Sequence, residues 1–191
     1  NGAPGARGFE LMRGLAALGY DVTIFTGTPN HLAETPSFRG PHFVERVDGV
    51  EICWVKTVPF VGAKSMRRIL SWIHFEISLF VLRKRRFGRP DAIVASSLSL
   101  FSVLTGLVLR RRYGCRLVFE VRDIWPLTIV EEGGFSSRNP LVRALGAVER
   151  LGYEKADAIV GTMPNLGMHV AKVVGRPRPT HCIPMGIAER T

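Results

Sequence analysis

The 191-residue sequence lacks the features that mark several classes of protein. No charge-poor apolar run approaches the about 20 residues that a membrane-spanning helix needs. The three cysteines, Cys53, Cys115 and Cys182, are scattered and form no Cys-x-x-Cys pair. We therefore expect free thiols in a reducing cytoplasm rather than a disulfide framework. No histidine and cysteine residues have metal-ligand spacing, so we expect no metal.

Acidic residues are scarce: 16 Asp and Glu stand against 26 Lys and Arg, a formal net charge of +10. A surplus of this size indicates an anionic partner, such as nucleic acid, an acidic membrane or a phosphorylated ligand. Much of it is gathered in arginine clusters at predicted helix ends, where solvated helix termini are the alternative explanation. The hydrophobic share of 46% is enough for one core, and we expect one domain over residues 1–183.

Glycines at positions 2, 5 and 8 precede a helical pattern that ends near Gly19. Their spacing is not the dinucleotide fingerprint, and no acidic ribose-binding residue follows the next strand, so we do not expect a nicotinamide cofactor. Free backbone N–H groups at such a helix start favour an anion; an ordinary flexible terminus is the alternative. In βαβ folds a strand feeds this loop, and here none precedes it. We therefore expect a fragment whose first strand is missing.

The rest of the chain alternates strand and helix patterns. Predicted strands cover 22–26, 50–58, 92–95, 117–121, 156–161 and 181–183. Predicted helices cover 9–18, 65–86, 98–113, a segment starting at 139–140, and 162–175, and a long loop covers 35–46. Ser96 and Ser97 are suited to cap the helix that follows them. This order predicts an α/β, Rossmann-like, doubly wound fold with a mostly parallel sheet.

The predicted strand at 117–121 ends in charge, with Arg122 and Asp123 just before Trp125 and Pro126. Ligands of open α/β sheets bind outside the carboxyl ends of the strands. The two charged residues are therefore candidates for chemistry. The alternative is a surface ion pair, which contributes little to stability.

The predicted helix at 65–86 is nearly apolar on every side at its centre and basic at both ends. It can pack on a sheet, or it can lie at an anionic membrane surface with arginines near the headgroups. The candidate membrane-contact residues are Arg67, Arg68, Trp72, Phe75, Arg83, Lys84, Arg85 and Arg86.

Eight short motifs, in order and spacing, resemble the N-terminal domain of bacterial family-4 glycosyltransferases of the GT-B fold. The most specific is Phe-Glu-Val-Arg-Asp-Ile-Trp-Pro at 119–126. The others lie at 5–7, 19–23, 29–31, 48–51, 89–91, 155–157 and 183–186. The chain is most similar to the branch that builds O-antigen, capsular and exopolysaccharide sugars, including fucosamine transferases.

The resemblance implies sugar transfer from a nucleotide-diphosphate donor, with retention of configuration, to a lipid-linked glycan acceptor. It implies a peripheral protein at the inner face of the cytoplasmic membrane, with no cofactor, no metal and no nucleic acid. Residues 184–191 would begin the interdomain linker. The donor-binding C-terminal domain is absent from the sequence, so we expect this chain alone to be inactive.

The resemblance also assigns roles to residues. Asp123 would orient an acceptor hydroxyl or accept its proton. Arg122 cannot act as a base, so its role would be electrostatic. The loop expected to approach the donor diphosphate is Gly5, Ala6 and Arg7, and the expected acceptor-side residues are Asn30, His31, Glu131 and Glu132.

Three other functions remain open from the residues alone. A basic Rossmann-like module could bind nucleic acid, although no recognised nucleic-acid motif is present. A non-catalytic, membrane-associated or anion-binding module could serve as a scaffold in polysaccharide assembly. A reductase or epimerase half is disfavoured by the missing acidic ribose residue.

Overall fold

The computed structural model describes residues 7–28, 35–59, 66–82, 84–97, 99–127, 130–131, 136 and 138–184. Its contacts divide the chain into two compact units. Unit 1 comprises Asn1–Phe87 and Gly186–Thr191, and unit 2 comprises Gly88–Met185. The domain expected over 1–183 and the linker expected from 184 stay predictions.

Unit 1 holds a three-stranded sheet in the order β1-β3-β2. Its elements are α1 (Arg7–Ala17), β1 (Thr23–Thr28), β2 (His42–Val47), β3 (Val50–Lys56), α2 (Met66–Val81) and a 3₁₀ helix (Lys84–Phe87). Strand β1 is parallel to β3, whereas β2 is antiparallel to it.

The prediction of a long loop over 35–46 is wrong from residue 42 onward, because β2 begins there. Asp48 and Gly49 both have positive φ, at 48° and 81°. Such a pair reverses the chain within two residues and matches the twist of a hairpin. The turn therefore places Val47 opposite Val50 and pairs the preceding residues with β3.

Strand β3 is the centre of unit 1, because both of its faces are covered. Val50, Ile52 and Trp54 pack in one apolar cluster with side chains of α1. The alternate residues Cys53 and Val55 pack in another cluster with side chains of α2. Since successive side chains of a strand point to opposite faces, α1 and α2 cover opposite faces of this sheet.

Unit 2 holds four strands in the order β4-β5-β6-β7, and each strand is parallel to its neighbour. Its elements are β4 (Ala92–Ser96), α3 (Phe101–Tyr113), β5 (Arg116–Val121), α4 (Pro140–Lys155), β6 (Ala158–Gly161), α5 (Leu166–Val174) and β7 (Thr180–Cys182). A helix lies between each strand and the next, which confirms the predicted α/β fold with a parallel sheet.

Strand β5 lies at the centre of the unit 2 core, with Leu117, Phe119 and Val121 at 0–1% exposure. Helix α4 lies close above it, because it carries a glycine at the contact. A Cβ atom on Gly152 would lie 2.9 Å from Cε1 of Phe119, a distance that real side chains do not adopt. The buried ring therefore fills the space that the glycine leaves.

The start of α4 matches its prediction. Asn139 Oδ1 accepts a hydrogen bond from the Leu141 backbone N–H at 2.8 Å, and Pro140 opens the first turn.

The prediction that Ser96 and Ser97 cap α3 is wrong. Helix α3 begins after Leu100, which makes no side-chain capping bond, so the two serines lie too early in the chain to cap it.

Candidate functional site

The carboxyl ends of β4 and β5 lie side by side in unit 2, with Ser96 paired to Glu120. After β5 the chain bends at Arg122 and Asp123. The Arg122 side chain is half-buried and Asp123 is exposed. The structure thus places both charges at the edge of the sheet where ligands of parallel α/β folds bind.

Ser97 fixes the backbone of this bend from the neighbouring strand end. Its hydroxyl oxygen accepts a hydrogen bond from the Arg122 backbone N–H at 2.8 Å. Its carbonyl oxygen accepts a bond from Trp125 Nε1 at 3.3 Å, and its own N–H donates to the Glu120 carbonyl at 2.8 Å. Ser97 is 1% exposed, so the serine atoms that make these bonds are shielded from water.

The segment that joins β4 to α3 is held at a second point. Ser102, in the first turn of α3, donates its hydroxyl to the Ser96 carbonyl at 2.6 Å. Trp125 packs against the unit 2 core, and its peptide bond to Pro126 is cis. The charged bend therefore rests on a strand end, a helix start and a half-buried indole, which together preorganise it.

The sequence prediction missed Ser97 as part of this site. It took Ser97 as a helix cap, although the hydrogen bond to Arg122 joins residues 25 positions apart. The signal that could have found it is positional. A small hydroxyl residue at the end of one parallel strand faces the bend that follows the next strand.

Another group of titratable side chains lies between α4 and α5. The Glu149 carboxylate, only 5% exposed, accepts a hydrogen bond from the Tyr153 hydroxyl at 3.1 Å and lies 2.8 Å from His169 Nε2. Burial raises the pKa of Glu149, and the bond and charge of His169 oppose that rise. Burial and the neighbouring Glu149 also raise the pKa of Tyr153. The group ties the two helices together.

A metal site is not formed by the part of the chain that the structure describes. No three His, Cys, Asp or Glu residues there are placed to share an ion.

Several predicted site residues fall outside the described residues, namely Gly5, Ala6, Asn30, His31, Arg83 and Glu132. Arg7 is the first residue of α1 in unit 1 and is 9% exposed. Glu131 is an exposed residue of unit 2. The roles predicted for these residues stay predictions.

Helix α2 carries two apolar faces. Phe75 and Leu79 pack in the unit 1 core with Cys53 and Val55, so the Phe75 side chain lies against the sheet and not on the outer surface. Trp72 is half-buried, and Arg67 and Arg86 are exposed. Arg68 belongs to α2, and Lys84 and Arg85 belong to the 3₁₀ helix. The exposed apolar residues of α2 are Leu70, Ile73, Ile77, Phe80 and Val81.

None of the helices in the described ranges is both long enough and apolar enough to cross a bilayer. We call the exposed apolar residues of α2 the α2 outer stripe. The opposite face of the same helix packs on the sheet of unit 1.

Comparisons with known proteins agree with the fold. A search of curated proteins found no significant match. Among solved structures, sucrose-phosphate synthase from Thermosynechococcus elongatus is similar, with a TM-score of 0.63 and 16% sequence identity. The match covers 92% of this chain and 40% of that protein. At this identity the likeness shows the fold, and the chain spans well under half of the larger protein.

The family comparison covers nearly the whole sequence. Residues 2–186 match the family described as glycosyl transferase 4-like domain. The match includes both units and the charged bend after β5. The chain therefore belongs to the glycosyl transferase 4-like domain family.

Proposed function

We propose that this chain is the acceptor-side half of a retaining glycosyltransferase. The complete enzyme transfers a sugar from a nucleotide-diphosphate donor to a lipid-linked glycan in cell-surface polysaccharide synthesis, in the O-antigen or fucosamine-transferase branch. The observation that carries the proposal is Arg122 and Asp123 at the carboxyl end of β5 in a member of this family. We propose that the 191 residues by themselves do not catalyse the transfer.

In the transfer step, an acceptor hydroxyl oxygen forms a bond to the anomeric carbon of the donor sugar. The bond from that carbon to the nucleotide diphosphate breaks, and the hydroxyl proton leaves. The exposed Asp123 carboxylate orients the hydroxyl or accepts its proton. A guanidinium group cannot act as a base, so Arg122 stabilises anionic oxygen atoms rather than moving protons.

The donor diphosphate is proposed to meet the start of α1. Arg7 is the first residue of this helix, where backbone N–H groups and the helix dipole favour negative charge. Gly5 and Ala6 precede it in sequence. Acceptor contacts are proposed for Asn30, His31, Glu131 and Glu132.

A lipid-linked acceptor requires the enzyme to work at the inner face of the cytoplasmic membrane. Support comes from the α2 outer stripe, where Ile77 is 55% and Phe80 45% exposed. Arg67 and Arg68 lie in the first turn of the helix, and further arginines follow its end in sequence. Apolar side chains beside cations are typical of helices that lie in an anionic membrane surface.

The test is Asp123→Asn in the full-length protein, with Asp21→Asn as the control because Asp21 is also exposed but lies just before β1. Transfer of label from sugar nucleotides to a membrane lipid extract measures turnover. We expect Asp123→Asn to lower kcat by about 100-fold or more, the usual range for loss of a general base. Unchanged turnover would remove Asp123 from the reaction.

A second candidate function is a non-catalytic module that binds membranes or anions. The α2 outer stripe favours this second candidate, because binding to a membrane explains the exposed apolar residues without any catalytic reaction. If the full-length protein binds vesicles but no sugar nucleotide, this candidate replaces the transferase.

A further inference from the structure

A pocket lies at the amino ends of the unit 2 strands, away from the charged bend. Its lining includes Asp91, Arg116 and Asp157, which stand just before or at the starts of β4, β5 and β6. The strands between the two ends have four to six residues, or roughly 13–20 Å. The pocket has a volume of about 830 Å³, within the range of small-molecule sites.

The floor of the pocket is apolar. Leu104, Leu107 and Val108 line it from α3, and Leu151 lines it from α4. Leu104 also packs against the unit 2 core, which holds this wall in place. Val108 is 48% exposed. An apolar ligand would cover this side chain, and removing its apolar surface from water would favour binding.

The rim of the pocket is cationic, and its charges come from three elements. Arg111 lies in the last turn of α3, Lys155 ends α4 and Arg116 begins β5. The Arg116 side chain is 80% exposed. Within the described ranges, the side chains of Arg111 and Lys155 make no hydrogen bond or salt bridge. Arg111 and Lys155 are therefore available to a ligand, and Arg116 adds an exposed guanidinium group whose Nη1 lies 3.6 Å from Asp157 Oδ1.

Helix dipoles explain only part of this arrangement. A cation in the last turn of a helix is stabilised by the helix dipole, which accounts for Arg111 and Lys155. Arg116 lies in a strand and gains nothing from this effect. The convergence of all three on one apolar floor is what indicates a binding site.

The carboxylates of the pocket do not neutralise the rim. Asp157 accepts hydrogen bonds from Arg110 Nη2 and from the Leu117 backbone N–H, both at 2.8 Å. Its distance to Arg116 Nη1 is 3.6 Å. Arg110 brings the number of cationic side chains in the lining to four, and the carboxylates among its described residues are those of Asp91 and Asp157. The lining therefore has a surplus of two positive charges.

We propose that this pocket binds an organic phosphate, a phosphate monoester joined to an apolar or aromatic body. A phosphate monoester carries nearly two negative charges at neutral pH, which matches the surplus. The guanidinium groups of Arg111 and Arg116 donate to phosphate oxygens in pairs, and the body covers the leucine floor. The site is separate from the charged bend and does not depend on the transferase proposal.

The probe is 1-naphthyl phosphate, titrated into the whole 191-residue chain and followed by two-dimensional amide NMR. We expect saturable shifts at residues 104–117 and 151–157. The double variant Arg111→Gln/Arg116→Gln should raise the half-saturating concentration about tenfold or more, equivalent to about 1.4 kcal/mol. The matched control is Arg112→Gln/Arg143→Gln, which removes the same charge from exposed unit 2 residues outside the pocket.

Arg116 is near Asp157. The single variant Arg111→Gln repeats the test without that contact, because the Arg111 side chain bonds to no residue that the structure describes. Equal weakening in the pocket and control variants would overturn the proposal, because it would show attraction to the net charge alone. Shifts that do not saturate, or that centre on residues 96–97 and 121–125, would overturn it as well. If inorganic phosphate bound as tightly as 1-naphthyl phosphate, the proposal of a ligand with an apolar body would be overturned.

Discussion

At the scale of single residues, the uncharged Ser97 holds the backbone of the candidate site in place. It accepts from the Arg122 backbone and from the Trp125 indole, so it holds the bend at both ends. Sequence patterns could place Arg122 and Asp123 at a strand end, because the apolar run that precedes them is local. They did not find Ser97, because its bonds cross between strands and only its position at the end of the neighbouring strand points to it.

Ser97→Ala removes the acceptor for the partly buried Arg122 N–H. We expect the free energy of unfolding to fall by about 1 kcal/mol, the usual net contribution of one hydrogen bond. We also expect the Trp125 indole resonance to shift, because the carbonyl that it contacts sits on the changed residue. Urea denaturation and NMR of the indole N–H signals measure the two effects.

The matched control is Ser99→Ala. Ser99 is 7% exposed, and its hydroxyl oxygen has no hydrogen-bond partner among the described residues. The same substitution there removes a hydroxyl without breaking a bond, so stability should stay within about 0.5 kcal/mol. Equal losses in the two variants would contradict the role given to the Ser97 hydroxyl.

At the scale of elements, helix α4 carries two carboxylates in opposite electrostatic situations. Burial raises the pKa of Glu149 above its ordinary value of 4.5. A hydrogen bond from Arg150 lowers the pKa of the exposed Glu154. The sequence could predict the Arg150–Glu154 pair from its spacing of four residues. It could not predict that Glu149 turns inward to His169, since that depends on how α5 packs.

The two residues should give opposite pH dependences. Folded Glu149 holds its proton more tightly than the unfolded chain does, so the stability that it contributes falls as pH rises from 4.5 through its raised pKa. Glu154 contributes stability above pH 4.5, which is lost as pH falls through its lowered pKa. The test is the free energy of unfolding of Glu149→Gln, Glu154→Gln and the wild type between pH 3 and neutral.

The quantity compared is the free energy of unfolding of the wild type minus that of each variant. For Glu149→Gln, we expect this difference to become smaller or more negative as pH rises through that window. The advantage over Glu154→Gln should instead shrink as pH falls. If both differences change in the same direction, the inward placement of Glu149 is wrong.

At the scale of the whole molecule, the class of the fold was predictable from the sequence. Alternating strands and helices predicted the parallel sheet of unit 2, because each crossover is local in sequence. The antiparallel strand β2 was missed, because His42 to Val47 lacks a continuous apolar run and owes its structure to the turn at Asp48 and Gly49. Packing of α2 on the sheet was one of the outcomes that the sequence left open.

The net charge of +10 and the α2 outer stripe together give a prediction for membranes. The chain should bind phosphatidylglycerol-rich vesicles and not phosphatidylcholine vesicles, because basic segments add about 1 kcal/mol per cation only near anionic lipid. Ile73→Gln/Ile77→Gln should weaken vesicle binding about tenfold or more, since those side chains would lose apolar burial. Sedimentation with vesicles measures the bound fraction.

The control pair is Leu141→Gln/Met168→Gln. These residues are 52% and 75% exposed and belong to unit 2, so the pair removes the same kind of surface elsewhere. Binding that weakens equally in both pairs, or that ignores lipid charge, would argue against docking through α2.

The strand order of unit 2 bears on how the chain is made. Its four strands lie in the sheet in the order in which they leave the ribosome. Chains emerge at about 5–20 residues per second, so each new strand of unit 2 meets a neighbour that is already present. In unit 1, by contrast, β1 waits for the hairpin of β2 and β3 before it gains its partner. The half that carries the charged bend can therefore assemble by stepwise addition, with no strand inserted between two others.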